Sequence, residues 1–250
     1  MRLDLTHRTC RYAGWDEIFR IVMRPPTIKD HDVRLYSTEV LERVWLTDRV
    51  FEIRLSKPST FKFMAGQRIR LLHRAIRRDY SLITAPSDPT LALCLKKIES
   101  GEYSPILASA KPGTQLSFTG PLGYFTYRPS GRPTVFVATG TGIAPFLSMV
   151  RTGITGFTLL HGVHRATNLY YRDIFSRAAR LYIPCLAAEA EETEDRESVF
   201  RGRVSHYLAE HLPSGNYDFY VCGRQEMIRD VTLMVDARFP SSLLYTEVFY

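Results

Sequence analysis

Two stretches of this sequence concentrate residues that can hold phosphate. Ala138-Thr139-Gly140-Thr141-Gly142-Ile143-Ala144-Pro145-Phe146 follows directly on an apolar run. Thr139 to Gly142 make a turn of small residues that admits a pyrophosphate, and a following helix offers N–H groups and its dipole. The spacing is not G-x-G-x-x-G, yet a purely structural turn has no need of two glycines and two threonines. Further on, Val221-Cys222-Gly223 ends another apolar segment, where open α/β sheets bind ligands. A buried structural cysteine is the alternative there. Gly101-Glu102-Tyr103-Ser104 opens a short helical pattern, which fits a serine cap as well as an anion at a helix N-terminus. The four cysteines, at 10, 94, 185 and 222, are too dispersed for a C-x-x-C pair. An iron–sulfur cluster, a zinc ribbon or any other metal site is therefore not expected.

Different elements must position these groups. The chain has 250 residues, 45% hydrophobic, 24% charged and 12% aromatic, which suits one large or two small folded domains and excludes disordered and disulfide-scaffold classes. From 34 to 130 the pattern is β: VRLYSTEVLERVWLT, VFEIRLS, QRIRLLH, DYSLITA, LALCLKKI and TQLSFTG are separated by turn residues such as Ala65-Gly66 and Lys111-Pro112-Gly113. Six short strands without long helices between them predict an antiparallel barrel. After Ser130-Gly131-Arg132-Pro133 the grammar changes. TVFVATG, GFTLLHGV, IPCLAAE, YDFYVCG and LLYTEVFY read as strands. They alternate with helical GIAPFLSMVRTG, LYYRDIFSRAARL, GRVSHYLAEHL and QEMIRDVTLMVDARF. That alternation over 131–250 predicts a doubly wound parallel sheet. Residues 1–33 form an N-terminal extension in which WDEIFRIVMR reads as an amphipathic helix, either packed on the body or binding a partner.

Arg78-Asp79-Tyr80-Ser81, placed at the start of the DYSLITA strand, resembles the R-x-Y-S of the ferredoxin–NAD(P) reductase family. The tetrapeptide alone would also fit a solvated arginine and an edge-strand aromatic. The resemblance continues through Gly101–Ser104 as G-x-x-S, Gly120-Pro121-Leu122-Gly123-Tyr124-Phe125 as the motif closing the barrel, the Thr139–Gly142 loop, the Cys222-Gly223 pair, and Glu247-Val248-Phe249-Tyr250. It spans about 34–250, with the motifs in the family's order. It implies an FAD-binding barrel and an NAD(P)-binding domain. Arg78 would pair with an FAD phosphate through its fork of donors. Tyr80 would lie on the isoalloxazine, and Ser81 would place its hydroxyl near N5. Gly101, Tyr103 and Ser104 would face the flavin diphosphate, and Phe249 or Tyr250 would cover the ring. Thr139, Gly140, Thr141, Gly142, Arg165, Glu189, Arg203, Cys222 and Gly223 would hold the pyridine nucleotide. Ser81, Cys222 and Glu247 would be the catalytic set, with Glu247 a proton-relay or nicotinamide-positioning carboxylate.

The implied function is a flavoprotein oxidoreductase that passes hydride from NAD(P)H to FAD and single electrons onward to a carrier. Glu189 stands about where NADPH-using relatives have an arginine, and six acids crowd Glu189–Glu197 against one Arg196. A 2′-phosphate would be repelled there, unless the run is a solvated loop. Arg203 and His164-Arg165 keep some positive charge, and His164 departs from the arginine common in relatives. NADH is the expected cosubstrate. From Arg54 to Lys97, ten basic residues stand against two acids, a face for an acidic one-electron carrier such as ferredoxin or flavodoxin. Nucleic acid is not an expected partner. No window supplies the ~18 apolar residues of a membrane helix, and the N-terminus lacks a signal core, so a cytoplasmic protein with reduced thiols is expected. Two other readings stand: an electron-transfer subunit docked in a larger redox or oxygenase complex, and a nucleotide-binding regulator that has lost the chemistry.

Overall fold

The structure is a computed structural model that describes residues 34–187 and 199–249. The expected N-terminal helix, Cys10, Glu189 with its acidic run, and Tyr250 lie outside the described residues.

Six antiparallel strands come first: β1 (Leu35–Trp45), β2 (Val50–Ser56), β3 (Arg68–His73), β4 (Ile76–Ser81), β5 (Thr90–Lys96) and β6 (Gln115–Leu122). They are ordered β4-β3-β6-β1-β2-β5, and a bridge between Leu82 and Leu93 joins the two edges into a barrel. Alternation decides which side chains fill it. On β3, Ile69 and Leu71 are buried inside while Arg68 and Arg70 face outward. The barrel core is aromatic and aliphatic: Phe61 and Phe118 meet edge to face with centroids 5.0 Å apart, alongside Phe51, Ile53, Leu55 and Leu93. A helix, α1 (Ser104–Ser109), interrupts the strands.

The second sheet is all parallel: β7 (Thr134–Thr139), β8 (Thr158–Val163), β9 (Leu181–Leu186), β10 (Phe200–Arg201), β11 (Asp218–Arg224) and β12 (Leu243–Phe249), in the order β10-β9-β8-β7-β11-β12. Its helices are α2 (Ala144–Arg151), α3 (Arg172–Ala178), α4 (Val204–Glu210) and α5 (Gln225–Arg238). The central strands bury both faces, as a doubly wound sheet requires. Val135, Val137, Phe219 and Val221 pack with Val204 and Leu208 of α4 and with Ile228, Val231 and Val235 of α5. Phe136, Ala138, Tyr220 and Cys222 point the other way, toward Phe146 and Leu147 of α2 and Phe175 of α3.

That second face also receives the barrel. Val50, Ile83, Ala92, Cys94 and Phe125 belong to the same buried cluster as Phe136 and Phe146. Polar contacts reinforce it: Ser148 donates to the Thr84 carbonyl at 2.6 Å, Arg151 to the Ile83 carbonyl at 2.8 Å, and the Tyr171 hydroxyl to Glu52 at 3.2 Å. The residues from Leu35 onward accordingly cluster as one compact unit.

Three expectations need correction. Arg78–Ser81 end strand β4 rather than start it, because β4 begins at Ile76 after a tight turn in which Arg74 takes φ 53°. The helix after β7 does not start at Gly142: Gly140–Ile143 wind as a 3₁₀ turn, and α2 begins at Ala144 with Pro145 in its first turn. A two-residue strand, Phe200–Arg201, adds to the sheet edge beside β9.

Candidate functional site

Several of the candidate residues gather where the barrel meets the carboxyl ends of the parallel strands. Thr139 ends β7, Cys222 and Gly223 come near the end of β11, and Glu247 and Phe249 near the end of β12. Register places Cys222 between Ala138 and Glu247. Gly142 seats the turn against β11: a Cβ there would lie 2.4 Å from the Cys222 carbonyl oxygen. Gly223 has φ 149°, and a Cβ on it would come within 2.1 Å of Thr139 Oγ1. That hydroxyl accepts the Arg224 N–H at 3.2 Å. Only glycine permits both approaches.

Above this loop the cradle is open. A Cβ on Gly140, whose φ is 52°, would meet nothing within 4 Å. Arg165 after β8 and Arg203 after β10 are exposed at the same edge of the sheet. Small side chains in a turn ahead of a helix, with flanking cations, fit a dinucleotide's phosphates. Beneath the sheet surface His161 is fully buried with Nδ1 3.2 Å from the Tyr182 hydroxyl. Burial lowers it to about 4, so it is a neutral imidazole.

From the barrel side, Ser81 at the end of β4 is buried, and its hydroxyl donates to Glu247 Oε2 at 3.1 Å. The other carboxylate oxygen, Oε1, accepts from Arg68 Nη1. Arg68 stands opposite Ser81 in the β3–β4 register, and its Nε donates to Asp79 Oδ2 at 3.1 Å. Arg70 holds the same aspartate at 2.6 and 3.1 Å. Burial pushes the Glu247 carboxyl upward, opposed by the Arg68 charge and hydrogen bond and by the Ser81 hydroxyl; the net direction is up. Burial also raises the Cys222 thiol well above its ordinary value, and the adjacent Glu247 carboxylate adds to this. Ser81, Cys222 and Glu247, far apart in sequence, therefore meet at one place.

The three described cysteines are buried, free thiols whose ionisation is pushed upward. Burial pushes Cys94 and Cys185 each up to about 12. Iodoacetamide at pH 8 should therefore leave Cys94, Cys185 and Cys222 unmodified in the folded protein, read by peptide mass spectrometry. Prompt labelling of Cys222 would show a thiol that is exposed or ionised.

The flavin-side residues are more dispersed. Arg78 is half-exposed and pairs with Glu102 at 3.0 Å, both near the start of α1. Tyr80 is partly buried against the barrel core. Tyr103, expected at the diphosphate, is 1% exposed and belongs to the barrel core instead, stacked on His73 at 5.6 Å. Ser104 is the first helical residue rather than the cap, and its hydroxyl accepts the Ile98 N–H at 3.0 Å. Gly101 sits close by: a Cβ on it would lie 3.1 Å from Ser104 Oγ. Phe249 is partly buried at the end of β12, against the core that joins the two halves.

Two residue ranges match known domains in tandem. Residues 39–127 match the oxidoreductase FAD-binding domain, and 136–232 match the oxidoreductase NAD-binding domain. The chain belongs to the ferredoxin reductase family. Ferredoxin–NADP reductase B of Sorangium cellulosum is 35% identical over 131 residues, covering 48% of this chain and 54% of the relative. The toluate 1,2-dioxygenase electron transfer component of Pseudomonas putida is 31% identical over 173 residues, 64% of this chain and 50% of that protein. The chain thus spans about half the length of these relatives. A ferredoxin NADP+ reductase from Neisseria gonorrhoeae, solved with bound FAD and NADP, shares the fold at a TM-score of 0.74 and 22% identity, covering 85% of this chain and 98% of that one. Among the described residues no helix is long and apolar enough to cross a membrane, and no group of ligating side chains could hold a metal.

Sequence reasoning missed Arg68 and Asp79 as site residues. Arg68 counted only as one of many cations, and its partner Glu247 lies 179 residues away.

Proposed function

We propose that the chain is an FAD-dependent oxidoreductase that takes hydride from NADH and delivers electrons singly to a separate one-electron carrier. The observation that carries this reading is the Ser81–Glu247 hydrogen bond between the barrel and the parallel sheet, with Cys222 beside it in register. When bound, FAD supplies the hydride-accepting N5 and the ability to release electrons one at a time. The chain's own residues supply place and charge. Arg78, Tyr80, Gly101 and Ser104 line the flavin side, and Thr139–Gly142 with Cys222 and Gly223 seat the nucleotide. Ser81 would place its hydroxyl oxygen at the reacting edge, with Glu247 accepting its hydrogen bond and fixing its orientation. Phe249 or Tyr250 would cover the flavin face and keep water from it.

Preference for NADH is argued from sequence order: six acids at Glu189–Glu197 stand about where relatives that use NADPH carry an arginine, and they would repel a 2′-phosphate against the pull of Arg165 and Arg203. Anaerobic titration of the purified flavoprotein should bleach the flavin at a concentration of NADH about tenfold lower than of NADPH, on the order of 1.4 kcal/mol. The reverse preference would overturn the NADH reading, and a protein that binds no flavin would overturn the oxidoreductase.

The carrier we propose is an acidic ferredoxin or flavodoxin in the cytoplasm. Many of the expected docking cations are already engaged. Arg54 pairs with Glu42 and Glu52, Arg68 with Asp79 and Glu247, Arg70 with Asp79, Arg78 with Glu102, and Lys97 with Glu99. Lys57 donates to the carbonyls of Pro86 and Asp88. Docking therefore falls to the exposed Lys62, Arg74, Arg77 and Lys96, a smaller positive surface than the residue count implied.

A further inference from the structure

Arg68 makes contacts that neither the flavin nor the nucleotide residues account for. It stands on β3 facing out of the barrel and grips two carboxylates from two other strands, Asp79 of β4 and Glu247 of β12. Each Glu247 oxygen thereby has one donor, Arg68 Nη1 on Oε1 and Ser81 Oγ on Oε2. The carboxylate side chain is 4% exposed, whereas those of Arg68 and Asp79 are 28% and 27% exposed. Glu247, Arg68, Asp79 and Arg70 thus form a chain of alternating charge from the buried site to the surface. The backbone turn at Gly123 closes the remaining side: a Cβ there would lie 3.1 Å from Arg68 Nη1 and 3.4 Å from Glu247 Oε1.

We propose that Arg68 is a positioning residue for Glu247, clamping its carboxylate onto the barrel and supplying its counter-charge, so that the hydroxyl proton of Ser81 is committed to Glu247. The proposal rests on the reading of Ser81 and Glu247 as the hydride-transfer site. A buried carboxylate without a paired cation takes up a proton instead of staying charged. A protonated Glu247 could donate a hydrogen bond to Ser81 rather than accept one. The groups facing Glu247 are Arg68 from β3, Ser81 and Asp79 from β4, and Cys222 from β11. Burial and Glu247 keep the Cys222 thiol protonated, and Asp79 pushes the Glu247 carboxyl up rather than down. Arg68 is therefore the cation that directly contacts the carboxylate.

The test uses the full chain labelled with ¹³C at glutamate carboxyls, with the Glu247 signal assigned by its loss in Glu247→Gln. Its titration is followed without any nicotinamide in Arg68→Gln and Arg68→Lys. Losing the guanidinium should move the Glu247 midpoint upward by about one pH unit or more, and lysine should restore part of it. In stopped-flow reduction by NADH, the fall in rate on acidification should move to higher pH in Arg68→Gln. At pH 6 that variant should then be at least about tenfold slower relative to wild type than at pH 9. A Glu247 midpoint unchanged in folded Arg68→Gln would overturn the clamp. An upward shift with no NADH-dependent bleaching in wild type would keep the clamp and overturn the hydride-transfer reading instead.

Discussion

Gly142→Ala should slow reduction of the flavin by NADH about 100-fold while leaving FAD bound. An alanine Cβ would sit 2.4 Å from the Cys222 carbonyl oxygen and 2.8 Å from the Cys222 carbonyl carbon and Gly223 Cα. All three are backbone atoms and cannot swing aside as a side chain can. Either the 3₁₀ turn lifts or the end of β11 retreats, by roughly 1 Å, and a displacement of that size in a positioning element can cost ~100-fold. The overpacking itself should lower stability by about 1–3 kcal/mol. Arg78, Tyr80 and Ser81 stand on the barrel, so flavin content should persist. Stopped-flow bleaching of the FAD-loaded variant separates the two effects. Wild-type rates would mean that the nucleotide loop does not have to rest on Cys222.

Phe136→Ala should cost ~3–5 kcal/mol. The ring is fully buried on β7 and is surrounded by aromatics: Phe146 at 4.5 Å, Phe157 at 4.6 Å and Tyr220 at 5.6 Å between centroids. Truncation leaves a cavity under both α2 and the barrel residue Phe125, which itself packs on Phe146 and Tyr220. In a chain of this size each kcal/mol moves Tm by ~2–4 °C, so a fall of about 10 °C is expected. Because one core serves both halves, calorimetry should still record a single transition. A variant with two transitions would show that barrel and sheet are stabilised separately.

Much of this architecture is legible in the chain because local pattern and burial agree. The unbroken apolar TVFVAT reads as a strand covered on both sides, and it is. Alternation in RIRLLH predicts one face in and one out, which places Ile69 inside and Arg68 outside. Illegibility has specific physical sources. The turn before β4 is made by Arg74 at φ 53°, where glycine or asparagine would announce it, so the pattern alone starts the strand too late. Tyr103 lies beside Ser104 in the motif but faces the barrel interior, and a tetrapeptide does not reveal which way its middle residue turns. The basic run overstates free charge because Glu42, Glu52, Glu99, Glu102 and Glu247 fall outside it in sequence and pair with it in space. The Arg68–Glu247 contact joins strands of two different sheets, so no local pattern encodes it.

The buried cluster shared by barrel and sheet also limits how such a protein can be recombined. Cutting near residue 130 would uncover Ile83, Ala92 and Phe125 on one fragment and Phe136, Phe146 and Met149 on the other, all buried in the intact chain. Neither piece would be a ready-made module. A chimera that grafts another barrel onto this sheet inherits a mismatched seam unless those residues travel with it. Across the seam, drift in one half must be answered by compensating drift in the other. The angle at which two cofactors face each other is therefore set by side-chain packing rather than by the tether between the halves.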